Sequence, residues 1–337
     1  MKKKEPSMPN KLIYSVVKSI SVLVAMTVAS GGFTQDKYPS KPITFIMAVE
    51  AGADGDVLGR PLMDRVARIL GQPITVINKP GAGSSIGYRE IHQAKPDGYT
   101  LGWASATIIT NKLQGVSPID YNNFTHLGAF ATFFPILIGS NKSNLKFNTI
   151  QEAIAYSKAN PGKVNLATAG VGQSWWVGAQ TFLTGTNLSM ASIPVTGAGA
   201  NVALLVAGGH AEVGVAGLAS SKALLDGGQV RFLAALSENR APPPYDKLPT
   251  VKELGYPVSW ESTNLIIGPP SMPKDIAAKI ALAVEQAAKE PEFIKFAQER
   301  DARPDYIAPE KIIPTMEKRR EVVKEIMAKA GLLKESN

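Results

Sequence analysis

The sequence predicts an α/β protein in which mainly parallel sheets are flanked by helices. Three observations carry this. Short apolar, β-rich runs alternate with longer amphipathic ones, glycine loops stand where a strand would hand over to a helix, and 30 Gly with 24 Pro punctuate many short connections. At 337 residues the chain has length for about two domains, each with its own core.

The elements follow in order. Pro42–Val49 is an apolar strand, Glu50–Asp56 a Gly loop, and an amphipathic stretch then runs to Leu70. Pro61 would cost a helix begun at Val57 a hydrogen bond, so the helix is expected to start nearer Arg60, with a longer loop before it. Ile74–Ile77 is the next strand, followed by the loop Pro80–Gly87, a helix-like run Ile86–Ala94 and the strand Thr100–Ser105. The second half repeats the rhythm: Ile136–Gly139, helix Thr149–Ala159, Val164–Thr168, loop Ala169–Ser174, helix Ser174–Thr184, Ala191–Val195, helix Ala200–Gly208, Glu212–Ala216 and a helix ending near Gly227. Ile276, Ile280, Val284 and Ala287, then Ile312, Met316, Val323, Ile326 and Met327, recur at helical spacing and make the C-terminal segment helical.

Composition excludes several functions. The absence of cysteine removes disulfides, thiolate metal sites, thiol nucleophiles and a lipoprotein anchor. His92, His126 and His210 are not at ligand spacing, so no metal and no cofactor is expected. The net charge of +8 suggests a polyanion partner, but half of it sits in the first 35 residues, and no nucleic acid is expected. There Lys2–Lys4, an apolar stretch Leu12–Ala29 and the small residues Ala29–Gly32 follow one another as in a secretory signal peptide, 1–30, cleaved near Ser30. The alternative, a membrane anchor, has an apolar core of only Ile20–Ala29, short of the ~20 residues of a span. Export places the mature chain in a periplasm.

The three Gly loops are anion-site candidates, because helix N-termini at the carboxyl ends of strands offer unpaired N–H groups. Gly81-x-Gly83 lacks the third glycine of a dinucleotide fingerprint at Ile86, and no Gly-Lys-Ser/Thr, G-x-S-x-G or H-E-x-x-H occurs. Ser174 reads as a helix N-cap. Of the adjacent Trp175 and Trp176, one is expected in the core and the other on a cleft, while Trp103 and Trp260 read as core or interdomain packing.

Several segments together resemble one family. Tyr38-Pro-Ser-Lys-Pro-Ile-Thr44, a Gly loop ending in Asp56, Leu70-Gly-Gln-Pro-Ile-Thr-Val76, Asn78-Lys-Pro-Gly-Ala-Gly83 and Ile86-Gly87 stand as in the extracytoplasmic receptors of tripartite tricarboxylate transporters, the Bug proteins. So do Lys95-Pro-Asp-Gly-Tyr-Thr-Leu101, Ala159-Asn-Pro-Gly-Lys163, Ala207-Gly-Gly-His-Ala-Glu212, Leu248-Pro-Thr-Val-Lys-Glu-Leu-Gly255 and Pro269-Pro-Ser-Met-Pro273.

The resemblance implies a two-lobed periplasmic binding protein, or Venus flytrap. Lobe one would be 36–138 plus 262–337 and lobe two 139–261, with two crossing strands as hinge. It implies no enzyme, a small organic acid as ligand, membrane transporter subunits as partners and a monomer. The candidate ligand contacts are Gly52, Ala53, Asp54, Gly55 and Asp56 from lobe one, and Thr168, Gly170, Val171, Gly172, Gln173, Ser174 and Trp175 from lobe two. Ser105 and Thr107, with Thr196, Gly197 and Ala198, form a second tier.

The chain departs from the family where the ligand would sit. The family's first loop reads P-F-x-P-G-G-x-x-D, whereas here both prolines are lost and Glu50 and Asp54 are added. These acids would repel a carboxylate unless they point to solvent or meet a cationic group on the ligand. A histidine-bearing helix start is replaced by Gln173-Ser-Trp-Trp176, and an Asp-Asn pair by Ala216-Gly217, which suits a less charged or aromatic acid. Two rivals stand beside the receptor reading: an exported enzyme, for which Glu50 and Asp56 are the inviting acids, and a sensory receptor of the same fold, which genomic neighbourhood would separate from a transport receptor.

Overall fold

A computed structural model describes Met1 and residues 38–196, 199–300 and 302–334. The chain divides into two units, Met1–Ser40 and Lys41–Asn337, and every element named below lies in the second. The export segment expected before Ser30 lies outside the described residues.

Two five-stranded sheets form the frame. The first contains β1 (Ile43–Met47), β2 (Ile74–Asn78), β3 (Thr100–Ala104), β4 (Thr125–Phe133) and β10 (Ser262–Gly268) in the order β2-β1-β3-β10-β4. The second contains β5 (Pro135–Ser140), β6 (Asn165–Ala169), β7 (Ala191–Val195), β8 (Val213–Gly217) and β9 (Val230–Ala235) in the order β7-β6-β8-β5-β9. In each sheet the fourth strand in the order, β10 or β5, pairs antiparallel with both neighbours and the other pairings are parallel. Four of five strands therefore run one way, as the alternation of strand and helix predicts. The chain leaves the first sheet through Phe134 alone and returns along residues 236–261.

Burial explains the strand composition. Ile43, Phe45, Ile46 and Met47 of β1 are all buried, as befits a strand covered on both faces. Helix α1 (Asp54–Leu70) turns Leu58, Leu62, Val66 and Leu70 inward at four-residue spacing, each such burial stabilising by about 1.5–3 kcal/mol. Helices α2 (Ser85–Gln93) and α3 (Thr107–Leu113) complete the first βα series. On the second sheet α4 (Ile150–Ala159), α5 (Ser174–Thr186), α6 (Gly199–Ala207) and α7 (Leu218–Asp226) follow their strands. The C-terminal α8 (Lys274–Lys289) packs on α1 and β4, α9 (Pro291–Gln298) on α8, and α10 (Pro309–Lys329) on β4, α3 and α5.

The start of α1 corrects the sequence expectation. The helix begins at Asp54 and carries Pro61 in its interior, so the loop is short. Asp56 is the reason: its carboxylate accepts from the Gly52 N–H, Arg60 Nε and Asn78 Nδ2, each at 2.9 Å. Charge-assisted bonds of about 1.5–3 kcal/mol apiece offset the ~3 kcal/mol of an internal proline. Three strands absent from the sequence reading, β4, β9 and β10, also appear. β10 opens on Ser-Thr-Asn, and buried polar residues conceal it from a search for apolar runs. Thr263 accepts from Arg319 Nη2 at 2.6 Å, and Asn264 donates to the Ala131 carbonyl.

Candidate functional site

The carboxyl ends of both sheets meet around a cavity of about 280 Å³. The first sheet's side contributes Ala48–Glu50 after β1, Ala53–Gly55 at the start of α1, Gly81–Ser84 before α2, Trp103 from β3, and Ser105 and Thr107 after it. The second contributes Ala169 at the end of β6 and Gln173–Trp175 at the start of α5. Phe133, Ser262 and Asn264 wall it beside the passage between the sheets.

Each wall has a local cause. Gly55 is where the first turn of α1 meets the Trp103 indole, since a Cβ there would lie 2.8 Å from the ring. The indole N–H of Trp103 donates to Asn264 Oδ1 at 2.7 Å, which ties β3 to β10 across the site. Ser105 and Thr107 hydroxyls bond each other at 3.1 Å, and the buried Tyr88 hydroxyl accepts from the Ser105 N–H. The loop Gly81–Ser84 runs entirely through positive φ, including Ala82 and Ser84, and so bends its backbone toward the cavity before α2. Helices α1, α2 and α5 have Ala53, Ser84 and Gln173 at their N-cap positions, and none has a side-chain cap. Apart from the Ser85 N–H, which donates to the Ala82 carbonyl at 3.2 Å, their first N–H groups are left for a ligand, and the helix dipoles favour an anion.

A side-chain hydrogen bond joins the two halves at the rim. The Thr110 hydroxyl is shared between the carbonyls of Thr107 and Gly172, the latter at 2.6 Å. Trp260 Nε1 donates to Ser174 Oγ at 3.0 Å. Ser174 is therefore the first helical residue and an acceptor for an indole, not the N-cap expected of it; Gln173 takes that position.

The charges are lopsided. Among the described residues no Lys, Arg or His lines the cavity, while Asp54 and Glu50 do. Asp54 is half-buried and its carboxyl is pushed up to about 6 by burial. Burial would also raise Asp56, but hydrogen bonds from Arg60, Gly52 and Asn78, with the Arg60 charge, hold it below the usual carboxylate range. Among the described residues no group of three or more acids and histidines stands where it could hold a metal.

The sequence candidates divide. Ala53, Asp54, Gly55, Ser105, Thr107, Gln173, Ser174 and Trp175 come together on the cavity wall. Gly52 and Asp56 do not line it; they bond each other and brace the loop. Thr168 is buried and donates to the Ala169 carbonyl, Gly170 sits against the Gln173 side chain, Val171 is exposed, and Gly172 bonds Thr110. Thr196 is exposed and its carbonyl accepts from Asn201, while Gly197 and Ala198 lie outside the described residues. Of the tandem indoles, Trp175 lines the cavity and Trp176 packs in the core.

Sequence reasoning left out Ala48, Val49, Gly81–Ser84, Trp103, Phe133, Ala169, Ser262 and Asn264 from the site. The loop at 81–84 carried a signal as an anion-loop candidate. Phe133, Ser262 and Asn264 carried none, because β4 and β10 were not legible as strands.

Known proteins agree with this architecture. Residues 58–332 match the family model described as tripartite tricarboxylate transporter family receptor. A "UPF0065 protein in gbd 5'region" of Cupriavidus necator is 28% identical over 303 residues, covering 89% of this chain and 90% of that one. Protein BugT of Bordetella pertussis is 30% identical over 244 residues, 71% of this chain and 73% of BugT. Among solved structures, a TctC solute binding protein from Polaromonas superposes with a TM-score of 0.73 at 26% identity, over 87% of this chain and 99% of that one. R. palustris Rpa4515 with adipate gives 0.78 at 22% identity, over 87% and 98%. MatC from Rhodopseudomonas palustris with bound malate gives 0.70 at 20%, over 87% and 98%. The two mixed sheets with their facing loops are the two-lobed periplasmic binding protein fold, and with the family model spanning most of its length the chain belongs to the tripartite tricarboxylate transporter family of receptors.

Proposed function

We propose that this receptor binds a small organic carboxylate between its lobes in the periplasm and delivers it to a tripartite tricarboxylate-type membrane transporter, with no chemistry of its own. The observation that carries this is the cavity walled by loops of both sheets, onto which three helices without side-chain caps open. A carboxylate there meets backbone N–H groups from both halves, so ligand favours the closed arrangement over an open one. Lobe boundaries at 138/139 and 261/262, with the crossing segments as hinge, belong to the same proposal, and β5 lies across the first of them. The ligands named for two relatives of the fold, adipate and malate, set the first probes.

The test is a thermal-shift titration of the mature monomer with malate, adipate and other small organic acids. A ligand at 100 times its Kd stabilises by about 2.7 kcal/mol, an easily read rise in Tm. No rise with any small acid would sink the receptor reading. Amino-terminal sequencing of the protein recovered from periplasm is expected to begin between Gly31 and Asp36; an intact Met1 would remove the export proposal. Co-purification with the two membrane subunits tests delivery.

A further inference from the structure

We propose that the ligand is a zwitterion, with a protonated amine seated against Asp54 and a carboxylate at the N-termini of α2 and α5. The inference rests on the receptor reading and names its ligand class.

The distribution of charge around the cavity carries it. Among the described residues the wall holds two acids, Glu50 and Asp54, and no basic side chain. A plain dicarboxylate would bring two further negative charges to a surface with no formal cation to receive them, which disfavours its ionised form. The helix ends are also unequal. Helix α1 carries Asp54 and Asp56 in its first turn and so neutralises its own positive end, whereas α2 and α5 carry no acid there. The cavity is thus negative at α1 and positive at α2 and α5, a field that orients a dipolar guest.

One unpartnered carboxylate fits the amine end of such a guest. The Asp54 carboxylate has no hydrogen-bond or ion-pair partner among the described residues, and its Oδ2 lies next to Gly217 at the end of β8. It therefore stands between the halves, half-buried, with no formal cation beside it among the described residues, and an ammonium arriving there supplies one. The Trp175 indole is only 7% exposed and lines the cavity, with its Nε1 beside Gly199 at the start of α6 and its ring beside Gly217, so that it flanks the same carboxylate. The Trp103 indole, packed at Gly55 beside Asp54, adds an aromatic face that suits a cation. At about 280 Å³ the cavity admits a guest of a few carbon atoms.

Matched pairs of compounds decide the matter, by calorimetric titration of the mature protein at neutral pH and low salt. The pairs are malate with aspartate, succinate with 4-aminobutyrate, and adipate with 6-aminohexanoate, each exchanging a hydroxyl or a carboxylate for an amine. In at least one pair the amino compound is expected to bind tenfold or more tightly than its partner. Asp54→Asn should then cost that compound at least tenfold while leaving or improving the dicarboxylate, and Glu50→Gln should change either by less. Preference for the non-amino member in every pair overturns this proposal and leaves the receptor reading standing, as does an equal effect of the two substitutions. Silence from all six compounds overturns this proposal, and the receptor reading falls with it only when the wider panel of small acids is silent too.

Discussion

The two halves of the molecule place corresponding helices at the cavity and furnish them in opposite ways. Helix α1 follows β1, the second strand in its sheet, and α5 follows β6, the second strand in the other. Each begins without a side-chain cap and each directs its first residues at the same space. The opening triplet of α1 is Asp54-Gly-Asp56 and that of α5 is Ser174-Trp-Trp176. In the first, a glycine accepts an indole from β3 and both flanking residues are acids; in the second the helix supplies its own indole and no charge. The scaffold fixes where a ligand sits, while two residues at each helix start decide the sign of charge it meets.

The comparison breaks most severely at Asp56. Asp56→Ala leaves the Gly52 N–H, Arg60 and Asn78 without their acceptor and should destabilise the protein by about 3 kcal/mol, read as a lower midpoint in urea. Gly55→Ala pushes a methyl into the Trp103 ring; about 1–3 kcal/mol of overpacking is expected, with a loss of ligand affinity in the same titration.

Asp54→Asn acts in the other direction. Because burial raises its folded pKa from 3.8 to about 6, ionising Asp54 costs stability as pH rises through that window. Asp56 is lowered, so its contribution is present above its unfolded pKa and is lost as pH falls through the folded value. Removing the Asp54 charge should raise stability at pH 7 by about 1–2 kcal/mol after solvent screening, and flatten the pH dependence between about 4 and 6. Urea melts from pH 4 to 8 measure both, and an unchanged profile would mean that Asp54 is solvated. The smallest effect is expected at the rim, where Thr110→Val removes the bond to Gly172 at about 1 kcal/mol and weakens binding a few-fold by calorimetry.

Much of this was legible in the sequence because alternation is a local property. The parallel strands β1, β2, β3, β6, β7 and β8 each read as a short apolar run, and each helix start at the cavity stood beside a glycine. What failed was non-local. Asp54 and Asp56 are two acids in one loop, and only Arg60 and Asn78, brought in by folding, turn the second inward and leave the first facing the cavity. Pro61 read as a barrier to a long helix until those bonds are counted. Trp103 read as packing because nothing in its own segment reveals that Gly55 and Asn264 meet it.

The position of β10 has a consequence for the order in which the molecule is made. Its residues follow the whole second sheet in sequence, yet it lies between β3 and β4, and among the described residues it is the only strand of its sheet that β4 pairs with. A chain emerging from its amino end can finish β5 to β9 as a closed ladder while β3 still has an open edge and β4 has no strand beside it. The later half of the first sheet must wait for residues 262–268, so the last pairing made is also one that walls the ligand site.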